Sequence, residues 1–259
     1  MTFTDDLLLA QQLADIADAI TLDRFMAQDL AVEKKTDATE VTDADRATEL
    51  AIKTRLSQER PNDGIIGEEF GATAGSNRTW IIDPIDGTAN YMRGVPVWAT
   101  LIALAVDGKP VLSVVSAPAM GRRWWGSPGE GAKTRELDGS VRHLNVSKIS
   151  TLEDASLSYN NLKLWDLSGM LGGLLGLTRK VWRTRAYGDF WSYMLLAEGA
   201  LEIVAEHDLK IYDIAALVPI VEQAGGRFSA INGELTAETS SVLATNGFLH
   251  KLSSAEILG

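Results

Sequence analysis

Two carboxylates three residues apart, Asp83 and Asp86, close an apolar run in Trp80-Ile81-Ile82-Asp83-Pro84-Ile85-Asp86-Gly87-Thr88. Pro84 fixes its own φ and drives Asp83 toward extended geometry, so both acids are held near one strand end. Like charges about 4 Å apart repel by roughly 4 kcal/mol at an effective dielectric near 20. Either one carboxyl keeps its proton or a cation sits between them. The three histidines, His143, His207 and His250, are scattered and there is no cysteine. An oxygen-only ligand set suits Mg²⁺, with Mn²⁺ or Ca²⁺ as alternatives. Further acids stand in Gly67-Glu68-Glu69-Phe70-Gly71, in Thr42-Asp43-Ala44-Asp45 and in Tyr212-Asp213. Each has a plain structural reading as well: a surface turn, a first-turn helix acid, a helix cap.

The elements that must position these residues follow from periodicity. Residues 4–26 carry apolar side chains at helical spacing, and a second helix should run over 43–60 behind Thr42 as N-cap. A polar link, Glu33-Lys34-Lys35-Thr36-Asp37-Ala38-Thr39, joins the two. Residues 80–82 read as a short strand. Residues 97–106 and 111–117 read as a hairpin about Asp107-Gly108-Lys109-Pro110, and 121–126 as a further strand at an edge. Helical patterns cover 190–198, closed by Gly199, and 213–224, closed by Gly225-Gly226, with Pro219 expected to kink the second. A polar stretch near 140–152 divides the chain into an N-terminal α+β part, 1–145, and a C-terminal α/β part, 146–259. The pattern is that of mixed sheets layered with helices.

Composition narrows the function. A chain of 259 residues with 46% apolar and 23% charged residues can bury a substantial core. Its net charge of −11 argues against nucleic-acid binding and against an anionic membrane surface. No apolar run approaches the roughly 20 residues that cross a bilayer. The opening Met1-Thr2-Phe3-Thr4-Asp5-Asp6 lacks the positive-then-apolar order of a signal peptide, so the expected location is the cytoplasm. Without cysteine there is no disulfide, thiolate site or phosphocysteine, and no Gly-x-x-x-x-Gly-Lys loop marks a nucleotide-driven kinase.

Taken together, Glu68-Glu69, then Asp83-Pro84-Ile85-Asp86-Gly87-Thr88, then Tyr212-Asp213-Ile214-Ala215-Ala216 and Glu222-Gln223-Ala224-Gly225-Gly226 resemble the inositol monophosphatase superfamily. The likeness runs from Asp37 through Gly226 and departs at Tyr212, where the family usually has Trp. It implies an α+β fold, a layered α/β/α/β/α sandwich of the inositol monophosphatase and fructose-1,6-bisphosphatase type. It also implies Mg²⁺-dependent hydrolysis of a small phosphate ester by metal-activated water, with two or three ions per site and Mn²⁺ as a substitute. By position, Glu68, Asp83 and the Ile85 carbonyl would hold one ion, and Asp83, Asp86 and Asp213 a second. Glu68 would also serve a weaker third ion and counts among the catalytic residues. Thr88, hydrogen-bonded by Asp45, would orient the water, and the amides of Gly87 and Thr88 would receive phosphate, with Asp86 beside it. A homodimer is the common assembly.

For the organic part of the substrate, Arg185-Ala186-Tyr187-Gly188-Asp189-Phe190-Trp191 and Ala205-Glu206-His207-Asp208-Leu209 resemble the bacterial histidinol-phosphate phosphatases of this superfamily. Carboxylates at Asp189 and Glu206 would suit the ammonium and imidazole of L-histidinol phosphate. Arg183 and Arg185 would steer phosphate, pair with acids across a dimer, or line a strand, and His207 is expected to bond locally. Trp124, Trp125 and Trp182 read as core or subunit contact. The alternatives are a myo-inositol-1-phosphate monophosphatase and a catalytically inactive metal-binding regulatory protein.

Overall fold

The computed structural model describes residues 3–34 and 40–259; the end of the polar link, 35–39, and the first two residues of the chain lie outside it. Helix α1 (Thr4–Arg24) is followed by the short pair β1 (Val32–Lys34) and β2 (Glu40–Thr42) and by α2 (Asp43–Glu59). Thr42 caps α2 as expected, and it does so reciprocally: its hydroxyl accepts from the Asp45 amide while the Asp45 carboxylate accepts from the Thr42 amide.

The first sheet contains β3 (Gly64–Gly67), β4 (Gly71–Thr73), β5 (Arg78–Asp86), β6 (Ala99–Val106), β7 (Lys109–Ala117), β8 (Arg122–Ser127), β9 (Gly131–Arg135) and β10 (Val141–His143). A short helix, α3 (Thr88–Tyr91), leaves the end of β5. The strand order is β10-β9-β8-β7-β6-β5-β3-β4. Within this sheet, among the described residues, only β3 and β5 pair in parallel. Three expectations need correction here. The strand over 80–82 runs on through Pro84 to Asp86, because the register against β6 shifts between Asp83 and Asp86. A bulge is where a sheet tolerates a residue with no N–H to donate. The hairpin turn is only Asp107-Gly108, both at positive φ (52° and 78°), so Lys109 and Pro110 already belong to β7. The strand expected at an edge, β8, is interior, between β7 and β9.

The second sheet combines β11 (Ser156–Tyr159), β12 (Arg183–Arg185), β13 (Ile203–His207), β14 (Arg227–Ala230) and β15 (Ser241–Thr245) in the order β12-β11-β13-β15-β14. Around it stand α4 (Leu162–Leu167), α5 (Leu171–Thr178), α6 (Asp189–Ala197), α7 (Ile211–Ile214), α8 (Leu217–Gln223) and α9 (His250–Leu258). The helix expected over 213–224 is two helices. The Pro219 ring conflicts with the carbonyl of Ala215, four residues earlier, and the break falls at Ala215-Ala216. Pro219 itself sits in the first turn of α8, where its missing N–H costs little.

Side-chain alternation sorts the layers. Trp80 and Ile82 of β5 pack with Leu9, Leu13, Ile52 and Leu56 of α1 and α2, whereas Ile81 faces the other way. On that other side Leu101, Val115 and Trp124 meet Phe190, Met194, Ile220 and Val221 of α6 and α8, and these meet Val204, Val242 and Ala244 of the second sheet. The outer face of that sheet, Leu157, Ile203 and Leu243, is covered by Trp165, Leu174, Leu177 and Ile257. The result is the layered α/β/α/β/α architecture. Of the tryptophans, Trp124 is core, tilted against Phe190 at 6.0 Å, while Trp182 is 66% exposed.

Candidate active site

Asp83, Asp86 and Asp213 offer oxygens within 4.8 Å of one another, although β5 supplies two of them and α7 the third. Each carboxylate is fixed by one backbone amide. Asp83 accepts from Ile85 N–H (3.0 Å), Asp86 from Phe190 N–H (2.7 Å) and Asp213 from Lys210 N–H (2.7 Å). The Phe190 contact ties the end of the first sheet to the first turn of α6. A second group, Asp45, Glu68 and Glu69, meets the same 4.8 Å limit where the first turn of α2 passes the turn between β3 and β4.

Burial, aggravated by like charge, dominates the electrostatics. Asp83 is pushed well above the usual carboxylate range, first by desolvation and then by Glu68, Asp86 and Asp213. Asp86 is raised in the same way, with Asp189 and Asp213 as its charged neighbours. Burial lifts Asp213 and Asp45 to about 7 each. Glu68 adds to both shifts, and so sits electrically between the two groups. None of the causes named for these four acids is the charge of a lysine or arginine side chain. Such an arrangement is held together by neutralisation, and the donor set, all carboxylate and carbonyl oxygen, fits a hard divalent cation.

Thr88 begins α3. Its hydroxyl lies 2.9 Å from the Ile85 carbonyl and 3.4 Å from Asp45 Oδ1. Asp45 Oδ2 is already committed to the amide and hydroxyl of Thr42 (2.8 and 2.6 Å). Gly87, at φ 87°, has the room and the conformation for this corner: a Cβ there would lie 3.1 Å from the Val97 carbonyl and 3.3 Å from Asp189 Oδ2.

A cavity of about 610 Å³ opens from Asp86 and Asp213 toward the second sheet, lined also by Asp189, Glu206, Tyr193 and Asn160. Asp189 is the first residue of α6, with Gly188 as N-cap, so its own capping role does not apply. Its φ of 51° is unusual for a residue with a side chain and marks local strain. Its carboxylate accepts from Asn90 Nδ2 at 3.0 Å, and burial raises it to about 6. Glu206 follows Val204 on the face of β13 that looks into the central helical layer. It is 2% exposed and raised to about 8 by burial. Tyr193 donates its phenol proton to Glu206 Oε2 (3.0 Å), while Oε1 has no hydrogen-bond partner. A buried acceptor left open at a cavity wall is a demand for a donor.

Of the residues expected from sequence, Arg185 stands apart. It does not line the cavity, is exposed, and donates to the carbonyl of its neighbour Thr184 at 2.7 Å. Arg183 bonds the Tyr187 hydroxyl (2.7 Å). His207 bonds locally, its backbone carbonyl accepting from Asn160 Nδ2 at 2.6 Å. Asn90, Tyr193 and Asn160 were not legible as site residues. Tyr193 lies four residues beyond Asp189, which is the one sequence signal that puts both on the same helical face.

The chain matches the Inositol monophosphatase family over residues 5–258. It is 52% identical to a histidinol-phosphatase of Streptomyces coelicolor, over 99% of this chain and 97% of that protein. It is also 52% identical to a histidinol-phosphatase of Mycobacterium tuberculosis, over 95% of each. An inositol monophosphatase from Zymomonas mobilis superposes with a TM-score of 0.87 at 34% identity, covering both chains fully. The chain belongs to the inositol monophosphatase family, and it is an enzyme, which sets aside the reading as an inactive regulatory protein.

Proposed function

We propose that this enzyme hydrolyses L-histidinol phosphate to L-histidinol and inorganic phosphate, a Mg²⁺-dependent step of histidine biosynthesis. The observation that carries the substrate is the 52% identity, over almost the whole chain, to relatives named for that activity. The cavity supports it: an acidic cluster where a phosphate would need cations, and on the same wall Glu206, whose Oε1 lacks a hydrogen-bond donor. An imidazole N–H or an ammonium supplies such a donor with charge assistance, and a neutral polyol supplies only hydroxyls.

In this reading Glu68, Asp83 and the Ile85 carbonyl would hold one Mg²⁺, Asp83, Asp86 and Asp213 would hold a second, and Glu68 would serve a weaker third. Bound divalent ions neutralise phosphoryl charge and lower the pKa of a water. The protein's own work is positional. The Thr88 hydroxyl, 3.4 Å from Asp45 Oδ1, would donate to that carboxylate and accept from the attacking water. Gly87 and Thr88 present their amides to phosphate. Asp189 and Glu206 take the amino and imidazole groups. The enzyme works in the cytoplasm as a homodimer, and the exposed Trp182 offers a surface to a second copy. No described helix is long and apolar enough to cross a membrane.

Parallel kinetics on histidinol phosphate and myo-inositol 1-phosphate with Mg²⁺ test the substrate. The expected kcat/KM favours histidinol phosphate by at least about 100-fold, the scale on which a site built for hydrogen-bonding rejects a poorer partner. A preference for the inositol ester would transfer the enzyme to the inositol monophosphatases proper.

A further inference from the structure

Glu49 is fully buried on α2, yet the mechanism above gives it no task. It stands one helical turn beyond Asp45, so the two project from the same face of the helix. Its two oxygens are both engaged by the turn that carries Glu68 and Glu69: Oε2 accepts from Glu69 N–H at 2.7 Å and Oε1 from Phe70 N–H at 3.0 Å. The chain makes room for this contact. At Gly67, immediately before the acidic pair, a Cβ would fall 1.9 Å from Glu49 Oε1 and 2.3 Å from its carboxyl carbon. One more turn along, Lys53 lies 5.3 Å over the Phe70 ring. Three residues at i, i+4 and i+8 of one helix therefore address, in order, the Thr88 hydroxyl, the amides of Glu69 and Phe70, and the Phe70 side chain.

We propose that Glu49 is the positioning residue of the metal site: a carboxylate clasp on α2 that holds the 67–70 turn so that Glu68 presents its oxygen to the cation. The inference rests on the reading of Glu68 as a metal ligand. Two amide donors need two acceptors, and a carboxylate is the side chain that supplies both from one terminus. Gly67 is the other half of the clasp, since any side chain there would displace the carboxylate from the amides. Glu49 also fixes Glu68 relative to Asp45 and Thr88, because one rigid helix carries both anchors.

The test is Mg²⁺ binding by titration calorimetry on the full chain, beside kinetics at varied Mg²⁺ and a thermal melt. In Glu49→Gln the amide nitrogen of the new side chain opposes one backbone donor. The expected result is Mg²⁺ affinity lower by about 10-fold or more, the scale seen when a ligand's supporting group is lost. At saturating Mg²⁺, kcat should return to within about threefold of wild type. Gly67→Ala should give the same Mg²⁺ defect, and the double variant should be little worse than either single, since both break one contact. Should Glu49→Gln fail to fold, Gly67→Ala carries the comparison. Glu202→Gln is the control: Glu202 is another buried carboxylate accepting from a backbone amide, Ser156 N–H at 2.7 Å, but remote from the acidic turn. It should lose melting temperature with Mg²⁺ affinity unchanged. Wild-type Mg²⁺ affinity in folded Glu49→Gln, or an equal Mg²⁺ defect in Glu202→Gln, would overturn the clasp. Wild-type protein that binds neither Mg²⁺ nor Mn²⁺ would instead overturn the metal reading, and the clasp with it.

Discussion

The two ends of the cavity hold their acids differently. At one end Asp86 and Asp213, with the buried Asp83 beside them, are each anchored by a backbone amide. At the other, Asp189 is held by the Asn90 side chain and Glu206 by the Tyr193 phenol. A backbone donor cannot be exchanged by substitution, so the first end is built to keep its carboxyl groups in place whatever the side chains around it. A side-chain donor can be replaced singly, so the second end is where recognition can be retuned while the fold is preserved. Chemistry and specificity are thus given to different kinds of hydrogen bond within one chamber.

The largest effects belong to the backbone-anchored end. Asp83→Asn and Asp213→Asn each remove a charged oxygen and should lower kcat by about 10³-fold or more, equivalent to at least about 4 kcal/mol, with Mg²⁺ affinity falling in parallel. Thr88→Ala lies in the same chamber but takes away only a proton acceptor. It should cost about 10²-fold in kcat while calorimetric Mg²⁺ affinity stays near wild type. Substantial turnover by Asp83→Asn would remove the distinction between the two ends.

Metal-free protein offers a second contrast. Burial raises Asp45 and Asp213 to about 7 and Glu206 to about 8, against unfolded values of 3.8 for aspartate and 4.5 for glutamate. Below about pH 4 both folded and unfolded chains carry these protons. Between there and pH 8 the folded chain binds more protons than the unfolded one, so stability falls as pH rises. Chelator-treated enzyme should accordingly melt at a lower temperature at pH 8 than at pH 5.5. Mg²⁺ at a hundred times its Kd should restore about 2.7 kcal/mol per site, and a fixed Mg²⁺ concentration should restore more at the higher pH, where protons no longer compete for the carboxylates. A metal-free melting temperature that climbs over this range would show that the acids are not held against their charge.

The acidic cluster itself was legible in the sequence as a cluster of candidates, because Asp83, Asp86, Gly87 and Thr88 lie within six residues and Asp45 and Asp213 sit at recognisable helix starts. The bulge that lets β5 continue past Pro84 was not, since it depends on pairing with β6. Three of the C-terminal helices, α4, α5 and α9, escaped notice because they are short; Gly172, Gly173 and Gly176 also weaken the pattern of α5. Residues that act by holding another residue were the hardest to see. Asn90 meets Asp189 across 99 positions, and nothing in either neighbourhood announces it. Arg185 shows the reverse case: a cation near the motif whose side chain is exposed, outside the cavity lining.

The smallest expected effect bears most directly on the division between the two ends. Tyr193→Phe keeps the ring, which stacks on Phe228 with centroids 5.4 Å apart and planes 17° from parallel, and deletes only the hydroxyl that fixes Glu206 Oε2. The melting temperature should therefore move little. With its second oxygen released, the Glu206 carboxylate can rotate, and the orientation that Tyr193 gives it is lost. One hydrogen bond of about 1 kcal/mol corresponds to a KM for histidinol phosphate some five times higher, while kcat/KM for p-nitrophenyl phosphate, which has no imidazole or ammonium to place, stays unchanged. Asp189→Ala should fall on the same side of the comparison with a larger selective loss, because it removes a carboxylate outright. Equal losses on both esters would mean that the phenol merely packs the helix, and that specificity and chemistry share their supports after all.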